Sequence, residues 1–282
     1  MKKVLVYSIV AFWLFMAALF LRREVIPGLF AQPVVGYGSI RAYAQAQPMF
    51  RMGVYDDGLP PNRIGTAETT YLLKADGTCQ ISSSVRIDFS KHALFKRSGA
   101  WRHMAPHMDM NSETTVAPDD TLRSFRVICR RDEFYGLAYG RVRDGMLHVT
   151  VDLPGVHRED SIPVQRDDIL STGFMPFAAL GRLEVGQAWR FKRIDPFGDT
   201  LEISAATARV IRETDLELGG QWYHVHEVDF SRGLTTAKAW VSESGDVLKQ
   251  SVQVLMLQIN LQREPLPHER GAAGPTTPPA GG

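Results

Sequence analysis

The sequence predicts an all-β protein: a large curved antiparallel sheet, either a half-barrel or a partly open barrel, with one N-terminal transmembrane helix. Three observations support this fold class. Apolar and polar residues alternate with a period of two in several runs, short Gly-containing turns separate those runs, and an 18-residue stretch without a charge lies near the N-terminus. Because the 282-residue chain has only 2 Cys, we expect the fold to depend on a hydrophobic core and not on a disulfide framework.

The charge-free stretch from Val4 to Leu21 is the predicted membrane helix. Lys2 and Lys3 precede it, and Arg22-Arg23-Glu24 follows it directly. As a helix it would reach about 27 Å, close to the roughly 30 Å hydrocarbon core of a bilayer. A cleaved signal peptide is the alternative, but its apolar region would be shorter, and the nearest small-residue pattern, Ala42-Tyr43-Ala44, lies far away. The slight excess of positive charge before the stretch favours a signal-anchor in the inner membrane with the C-terminal domain in the periplasm.

Composition divides the chain into four segments. Residues 1–24 form the N-terminal membrane anchor, and residues 25–48, which mix Pro, Gly, Gln and Ala without periodicity, form a stalk. Residues 49–264 are numerous enough for one periplasmic β-rich domain with a substantial core. Residues 265–282 are rich in Pro and Gly and cannot bury enough apolar surface to offset the entropy of ordering, so we expect a disordered tail.

Strands are predicted where apolar residues occupy alternate positions. From Cys79 to Phe89 the odd-numbered positions are mostly apolar and the even-numbered positions are polar, and residues 124–129 and 147–153 alternate in the same way. Turn-forming residues between candidate strands indicate antiparallel hairpins. The four turns are Ala75-Asp76-Gly77, Arg143-Asp144-Gly145, Leu218-Gly219-Gly220 and Glu243-Ser244-Gly245-Asp246.

The C-terminal part of the domain is predicted to contain four strands, at about 200–212, 221–230, 234–242 and 247–262. In the last of these, the apolar positions change from even-numbered to odd-numbered residues after Met256. Such a change of face is typical of a β-bulge, so we expect one long, bent strand.

Short motifs in this domain resemble a family. The first segments are Met52-Gly53-Val54-Tyr55-Asp56-Asp57-Gly58 and Ile64-Gly65-Thr66-Ala67; the later ones are Leu183, Gly186-Gln187-x-Trp189, Asp195-Pro196 and Trp240-Val241-x-x-x-Gly245-x-Val247-Leu248. In this order they resemble exported bacterial β-rich domains of unknown function with a GVYxxGxxIG opening, some of which precede transglutaminase-like domains. The resemblance covers about residues 49–264 and implies a large twisted antiparallel sheet. It supplies no catalytic residue, and the transglutaminase-like domain is absent from this sequence.

Charge and motif content argue against nucleic-acid binding and catalysis. A formal net charge of +1 gives no overall cationic footprint for nucleic acid. No G-x-S-x-G nucleophile elbow occurs. The acidic pairs Asp56-Asp57, Asp119-Asp120 and Asp167-Asp168 lie beside turn formers, and we interpret them as solvated turns. We therefore expect a protein without enzymatic activity or cofactor.

The two cysteines, Cys79 and Cys129, both fall on the apolar faces of their predicted strands. A buried thiol without a basic neighbour is unreactive, so we assign neither residue a catalytic role. Two arrangements stay open: two separate buried thiols, or one disulfide formed in the periplasm.

Two groups of residues are candidate metal ligands. His103, Met104, His107 and Met108 lie close together in the sequence, and imidazole with thioether ligands suits copper. The competing interpretation is a flexible loop whose methionines pack on the sheet, and Pro106 interrupts the helix that would align the two histidines. His224 and His226 form a second pair on one face of a strand, where histidines are more often hydrogen-bonded core members.

The main functional hypothesis concerns the apolar face of the sheet. We expect a membrane-anchored periplasmic binding or scaffold protein of the cell envelope, attached to the inner membrane through residues 4–21, with a lipid or envelope protein as partner. An apolar pocket would hold a lipid or an extended peptide. The residues expected to line it are Trp222, Val228, Phe230, Trp240 and Val252. A periplasmic copper-binding protein is the alternative.

Overall fold

The computed structural model describes residues 12–13, 16, 44–45, 47–92, 95, 107–131, 134–164, 168–170, 180, 183–194, 203–232, 235–254 and 257–264. Several predictions fall outside these residues: most of the anchor and stalk, the residues His103 and Met104, and the tail. Within the described part of the chain, no helix is both long and apolar enough to cross a membrane. The stretch from Val4 to Leu21 is described only at residues 12, 13 and 16.

In the described residues, fifteen strands form one sheet, which confirms the all-β class. The first eight are β1 (Met49–Tyr55), β2 (Arg63–Leu73), β3 (Cys79–Asp88), β4 (His107–Val116), β5 (Leu122–Arg131), β6 (Phe134–Arg143), β7 (Met146–Leu153) and β8 (Val156–Pro163). The others are β9 (Asp168–Leu170), β10 (Ala188–Ile194), β11 (Ile203–Leu218), β12 (Gln221–Arg232), β13 (Thr235–Ser242), β14 (Val247–Val254) and β15 (Leu257–Glu264). A short 3₁₀ turn, Phe89–Lys91, follows β3.

The chain passes back and forth through neighbouring strands, and one long-range pairing joins its two halves. β1 to β8 occupy one side of the sheet, β9 to β15 occupy the other, and β1 pairs with β15 between them. A pairing of β8 with β9 would complete the circular order of a closed barrel, but these strands are the two edges of an open sheet. All pairings are antiparallel except that of β9 with β10, which is parallel over three residues and differs from the predicted arrangement.

The predicted hairpin turns are confirmed by their backbone geometry. Asp144 and Gly145 both have positive φ, 51° and 74°, and Gly219 and Gly220 have φ of 59° and 81°. Two successive residues with positive φ form the type I′ turn, whose twist matches that of the flanking strands. Gly favours this geometry because it has no Cβ to clash with the neighbouring carbonyl.

The prediction of one long strand over 247–262 is wrong. β14 and β15 are separate antiparallel strands, and Val254 pairs with Leu257 across a two-residue connection. The change of apolar face therefore marks a reversal of the chain and not a bulge. In sequence the two cases look alike, because each interrupts the period of two, and residues 255 and 256 are not turn formers.

One face of the sheet encloses a single hydrophobic core. On β7, Leu147, Val149 and Val151 point into it and are each at most 2% exposed. The same cluster contains Trp189 of β10, near the opposite edge of the sheet, and Val54 of β1, at its centre. Because strands that are distant in sheet order share one core, the sheet curves around it.

The two cysteines lie at separate positions in the sheet: Cys79 is buried in the core, and Cys129 is half-buried outside that cluster. Cys79 of β3 pairs with Val116, and Cys129 of β5 pairs with Met110, six residues away along the intervening strand β4. Six strand residues span about 20 Å, far beyond the Cα separation that a disulfide permits. The two cysteines do not form a disulfide with each other, so the disulfide alternative is wrong. Burial raises the pKa of the Cys129 thiol, which keeps it protonated and unreactive.

The opening motif of the domain builds the loop between β1 and β2. Asp56 is fully buried, and its carboxylate accepts hydrogen bonds from the backbone N–H of Gly58 (3.1 Å) and from the backbone N–H (2.6 Å) and side-chain Nδ2 (2.9 Å) of Asn62. The interpretation of this acidic pair as a solvated turn is therefore wrong for Asp56. It holds for Asp119, whose carboxylate accepts a bond from the backbone of Thr121 in an exposed turn.

The glycines of the same motif leave room for close approaches between strands. A Cβ on Gly65 would lie 2.1 Å from the carbonyl oxygen of Arg86, and one on Gly53 would lie 2.6 Å from the ring of Tyr55. Both distances are shorter than a van der Waals contact; position 65 requires glycine because the close atom is backbone, whereas at position 53 the neighbouring side chains would have to move. Gly65 of the opening motif thus has a structural role in the approach of β2 to β3.

Candidate functional site

Three of the five residues expected to line an apolar pocket lie together on the core side of the sheet. Val228 and Phe230 share one face of β12, and Val252 of β14 pairs with Ala237, the cross-strand partner of Phe230. Val228 is 0% exposed, and Phe230 and Val252 are half-buried against the core. The apolar surface at Val228 is therefore already covered by the protein's own residues.

The two tryptophans do not join this group, and the expected five-residue lining is wrong in this respect. Trp240 pairs with Glu227, which precedes Val228 on β12 and so points to the opposite face. There the Nζ of Lys249 lies 4.8 Å from the Trp240 ring centroid, a cation–π contact, and burial lowers the pKa of this lysine. Trp222 has the same parity as Val228 but is 45% exposed, beyond the covered part of the face.

The predicted copper ligands are only partly described, and the described ones diverge. His107 and Met108 are the first two residues of β4, so their side chains point to opposite faces of the sheet. His107 is exposed, with its Nε2 3.5 Å from Oδ1 of Asp88, whereas Met108 packs against the core. Within the described ranges, no group of three or more His, Cys, Asp or Glu side chains is placed to hold a metal ion.

The second histidine pair faces carboxylates on the neighbouring strand β11. His224 Nδ1 lies 3.0 Å from Asp215 Oδ1, and its Nε2 lies 3.6 Å from Glu213 Oε2. The other oxygen of Glu213 is 3.3 Å from Nε2 of His226, which is largely buried. The hydrogen bond to Asp215, followed by that to Glu213, raises the pKa of His224. These ion-pair contacts link β11 with β12.

His224 and His226 lie seven strands from β4 in the sheet order, counted through β1 and β15. Convergence of the two histidine groups in space would favour copper binding.

The edge strand β8 has a different character from the rest of the sheet. Within the part of the chain that the structure describes, it pairs with β7 on one side only, and all its residues are exposed except Arg158 and Ile162, which are half-buried. Arg158 and Asp160 pair with Val151 and Val149, so these charged side chains point to the core side, where Arg158 Nε lies 3.2 Å from Asp160 Oδ2. Inward-pointing charges on an edge strand disfavour pairing with a second copy of the same edge.

The outward side of β8 also carries ionisable groups. His157 contacts Asp152 of β7 through Nδ1, and its Nε2 lies 3.6 Å from Glu159. The hydrogen bond to Asp152 raises the pKa of His157. Together with the inward pair, these residues make β8 an exposed strand with charges of both signs on both faces.

Comparisons with known proteins assign neither a family nor a function to the chain. No protein-family model matches the chain, and no curated protein matches it. Among solved structures, the chain is similar to a β-barrel-like protein of the domain of unknown function DUF1849 from Brucella abortus. The sequences are 11% identical, the match covers 77% of this chain and 94% of the other, and the TM-score is 0.49. The β-rich domain that the motif resemblance implied is confirmed by the strands of the structure itself.

Sequence reasoning missed Glu213, Asp215 and the whole of β8. The first two fall after residue 212, where the predicted strand ended, although the charged residues of 212–217 continue the strand to Leu218. β8 has no apolar alternation because neither of its faces is fully buried. The signal that could have found it is the Pro154-Gly155 turn, which follows the alternation of β7 and directly precedes a new extended run.

Proposed function

We propose that this chain is a non-enzymatic binding or scaffold protein of the bacterial envelope, and that it holds an extended peptide segment along the open edge of its sheet. One observation carries the proposal: among the described residues, β8 has a neighbour on one side only and forms one edge of the fifteen-stranded sheet. An added strand would pair with the free backbone groups of β8, as in β-strand addition.

The exposure and charge of β8 suit this mode of binding. A peptide would meet the eight residues of an already extended strand, so the protein would lose little conformational freedom on binding. Cross-strand charge pairs stabilise antiparallel strands, and like charges directly opposite destabilise them. The partner should therefore carry basic residues opposite Glu159 and Asp160 and an acidic residue opposite Arg158.

The burial of the apolar face favours a peptide over a lipid. Val228 is fully buried, and its neighbours Val210, Ala239 and Val241 are each at most 1% exposed. An acyl chain at this position would have to displace well-packed side chains, and their dispersion attraction to the surrounding core would no longer stabilise the fold. Pairing at β8 would leave the core intact.

A synthetic peptide tests the edge directly. We expect an eight-residue peptide, with lysine and arginine opposite Asp160 and Glu159 and glutamate opposite Arg158, to bind with a dissociation constant of about 100 µM or tighter, or about −5.5 kcal/mol. It should slow hydrogen exchange at the backbone amides of β8 but not at those of β12. Mass spectrometry of the deuterated full chain measures both.

Two N-methylated versions of this peptide provide matched controls. One carries methyl groups on its odd-numbered amides and the other on its even-numbered amides, with identical side chains. Alternate amides of a strand point to opposite edges, so one version should lose at least about tenfold in affinity while the other binds normally. Equal binding of both versions, or an unchanged exchange rate in β8, would refute pairing at the edge.

The envelope location is part of the proposal and rests on the sequence. The charge-free stretch from Val4 to Leu21, with basic residues on both sides, supports an inner-membrane anchor with a periplasmic domain. A reporter that is active only outside the cytoplasm, fused after Glu264, should be active in a bacterium with two membranes. An inactive but stable fusion would contradict this location, and a mature N-terminus near Gln45 would indicate a cleaved signal instead of an anchor.

A further inference from the structure

The outer face of strands β4 to β7 carries a group of basic side chains around two adjoining clefts. This cationic cleft is defined by five exposed residues: Lys74, Arg123, Arg126, Arg141 and Arg143. The larger depression has a volume of about 490 Å³ and the smaller one about 470 Å³, and both are bordered by Thr115, Ser124 and Arg141. The chain as a whole has a net charge of only +1, so the positive charge is concentrated locally.

Strand register and one irregularity bring these side chains together. Arg126 pairs with Glu113 and Tyr139, while Arg141 pairs with Ser124 in the next row, so both guanidinium groups point to the outer face. The adjacent residues Thr115 and Val116 of β4 pair with Ser124 and Leu122 of β5. Arg123, which lies between these two partners, is therefore an additional residue on β5. A β-bulge at this point redirects the side chain of Arg123 towards Lys74, which follows β2.

Neighbouring carboxylates balance only part of the positive charge of the cleft: Asp76 attracts Lys74 and Arg123, and Glu113 lies opposite Arg126 on the next strand. Among the described residues, no carboxylate oxygen lies within ion-pair distance of Arg126, Arg141 or Arg143, whereas other outer-face arginines, such as Arg212, have such partners. Of the two carboxylates in the cleft, Glu113 accepts a hydrogen bond from Gln80, and Asp76 accepts one from the backbone of Thr78. Five cations therefore face two carboxylates that already have hydrogen-bond donors.

We propose that the cationic cleft binds a phosphate-bearing anion. A planar guanidinium donates two parallel hydrogen bonds to phosphate oxygens, and several guanidinium groups around one depression attract an ion with more than one negative charge. The hydroxyl groups of Ser124 and Thr150 and the exposed ring of Tyr139 line the same cleft and provide further contacts. A cleft with charges of one sign also concentrates the opposite ion from solution.

This site is separate from the peptide edge proposed above, since it lies on the face of the sheet and not on the free side of β8. It does not depend on that proposal. Both a free phosphate compound and a phospholipid headgroup present the required oxygens, so the experiment includes one of each.

Calorimetry of the full chain in a nonionic detergent, with tripolyphosphate as the probe, tests the proposal. We expect saturable binding by the wild-type chain and at least about tenfold weaker binding when Arg141→Gln and Arg143→Gln are combined. The matched control combines Arg86→Gln with Arg209→Gln, which removes the same charge from exposed positions outside the cleft and should change the affinity less than twofold. Unchanged thermal unfolding of all variants ensures that the comparison concerns binding.

A second titration uses short-chain phosphatidylglycerol, with short-chain phosphatidylcholine as its uncharged counterpart. If phosphatidylglycerol binds, tripolyphosphate does not, and the double variant Arg141→Gln with Arg143→Gln weakens the binding, the site is supported and a lipid headgroup is its source of phosphate. If only tripolyphosphate binds, a free phosphate compound is the source. If neither probe binds, or if the control pair weakens binding as much as the cleft pair, the proposal is wrong.

Discussion

Replacing Trp189 with alanine is expected to lower the free energy of unfolding by about 3–4 kcal/mol, as for other fully buried large-to-small substitutions. Trp189 of β10 is 0% exposed and is among the largest fully buried side chains of the core. It pairs with Ala208 of β11, also 0% exposed, whose small side chain leaves space for the indole ring. Because residue 208 is already alanine, alanine at position 189 would leave a cavity near the edge of the sheet.

The indole nitrogen of Trp189 sets the expected difference from a phenylalanine variant. Its Nε1 is buried and has no hydrogen-bond partner among the described residues. Phenylalanine would keep most of the buried volume and remove this unpaired donor, so Trp189→Phe should cost less than about 1.5 kcal/mol. Urea unfolding of both variants, monitored by circular dichroism, measures the two values.

Trp222→Ala is the matched control for the alanine variant. Trp222 is 45% exposed, so the same chemical change should cost no more than about 1 kcal/mol. A loss at Trp222 equal to that at Trp189 would show that the two rings are buried alike in solution, contrary to the structure.

The strands and hairpins could be predicted from sequence because local chemistry determines them. A half-buried strand exposes alternate residues to the core and to solvent, as in β3, where the predicted range 79–89 matches Cys79–Asp88. The Asp144-Gly145 turn has residue types that adopt two successive positive φ angles at low cost. Neither inference requires knowledge of a distant part of the chain.

The pairing of distant strands could not be predicted in the same way. The pairing of β1 with β15 and the open edge at β8 depend on contacts between residues far apart in sequence, which periodicity does not encode. β8 also lacks the alternation that identifies a strand, since an edge strand needs no fully buried face. The edge proposed here for peptide binding therefore could not be predicted from alternation.

The predicted pocket illustrates how register decides which side chains meet. Trp240 and Val228 are both in apolar runs, but the register of β12 with β13 pairs Trp240 with Glu227 and places it on the other face. A shift of one residue would have brought them together. Alternation within one strand predicts two faces, and only the pairing tells which face is shared with the neighbour.

Replacing Asp56 with alanine is expected to lower the free energy of unfolding by about 3 kcal/mol. The change removes a fully buried carboxylate that accepts three hydrogen bonds from Gly58 and Asn62, and these half-buried donors then lose that acceptor. A buried donor without a partner costs about 1–3 kcal/mol. The loop also contacts β15, because Asn260 Nδ2 donates to the backbone oxygen of Asp56. Thermal and urea unfolding measure the loss.

Asp56→Asn and Asp57→Ala separate the carboxylate from its surroundings. In Asp56→Asn one side-chain oxygen still accepts from the backbone, but the new amide N–H faces the Nδ2 donor of Asn62 and cannot accept from it. We therefore expect an intermediate loss of about 1–2 kcal/mol. Asp57 is 54% exposed at its side chain, so Asp57→Ala should cost less than about 1 kcal/mol although it removes the same charge. Equal losses at the two positions would contradict a specific role for Asp56, because they would reflect loop charge and not the buried hydrogen bonds.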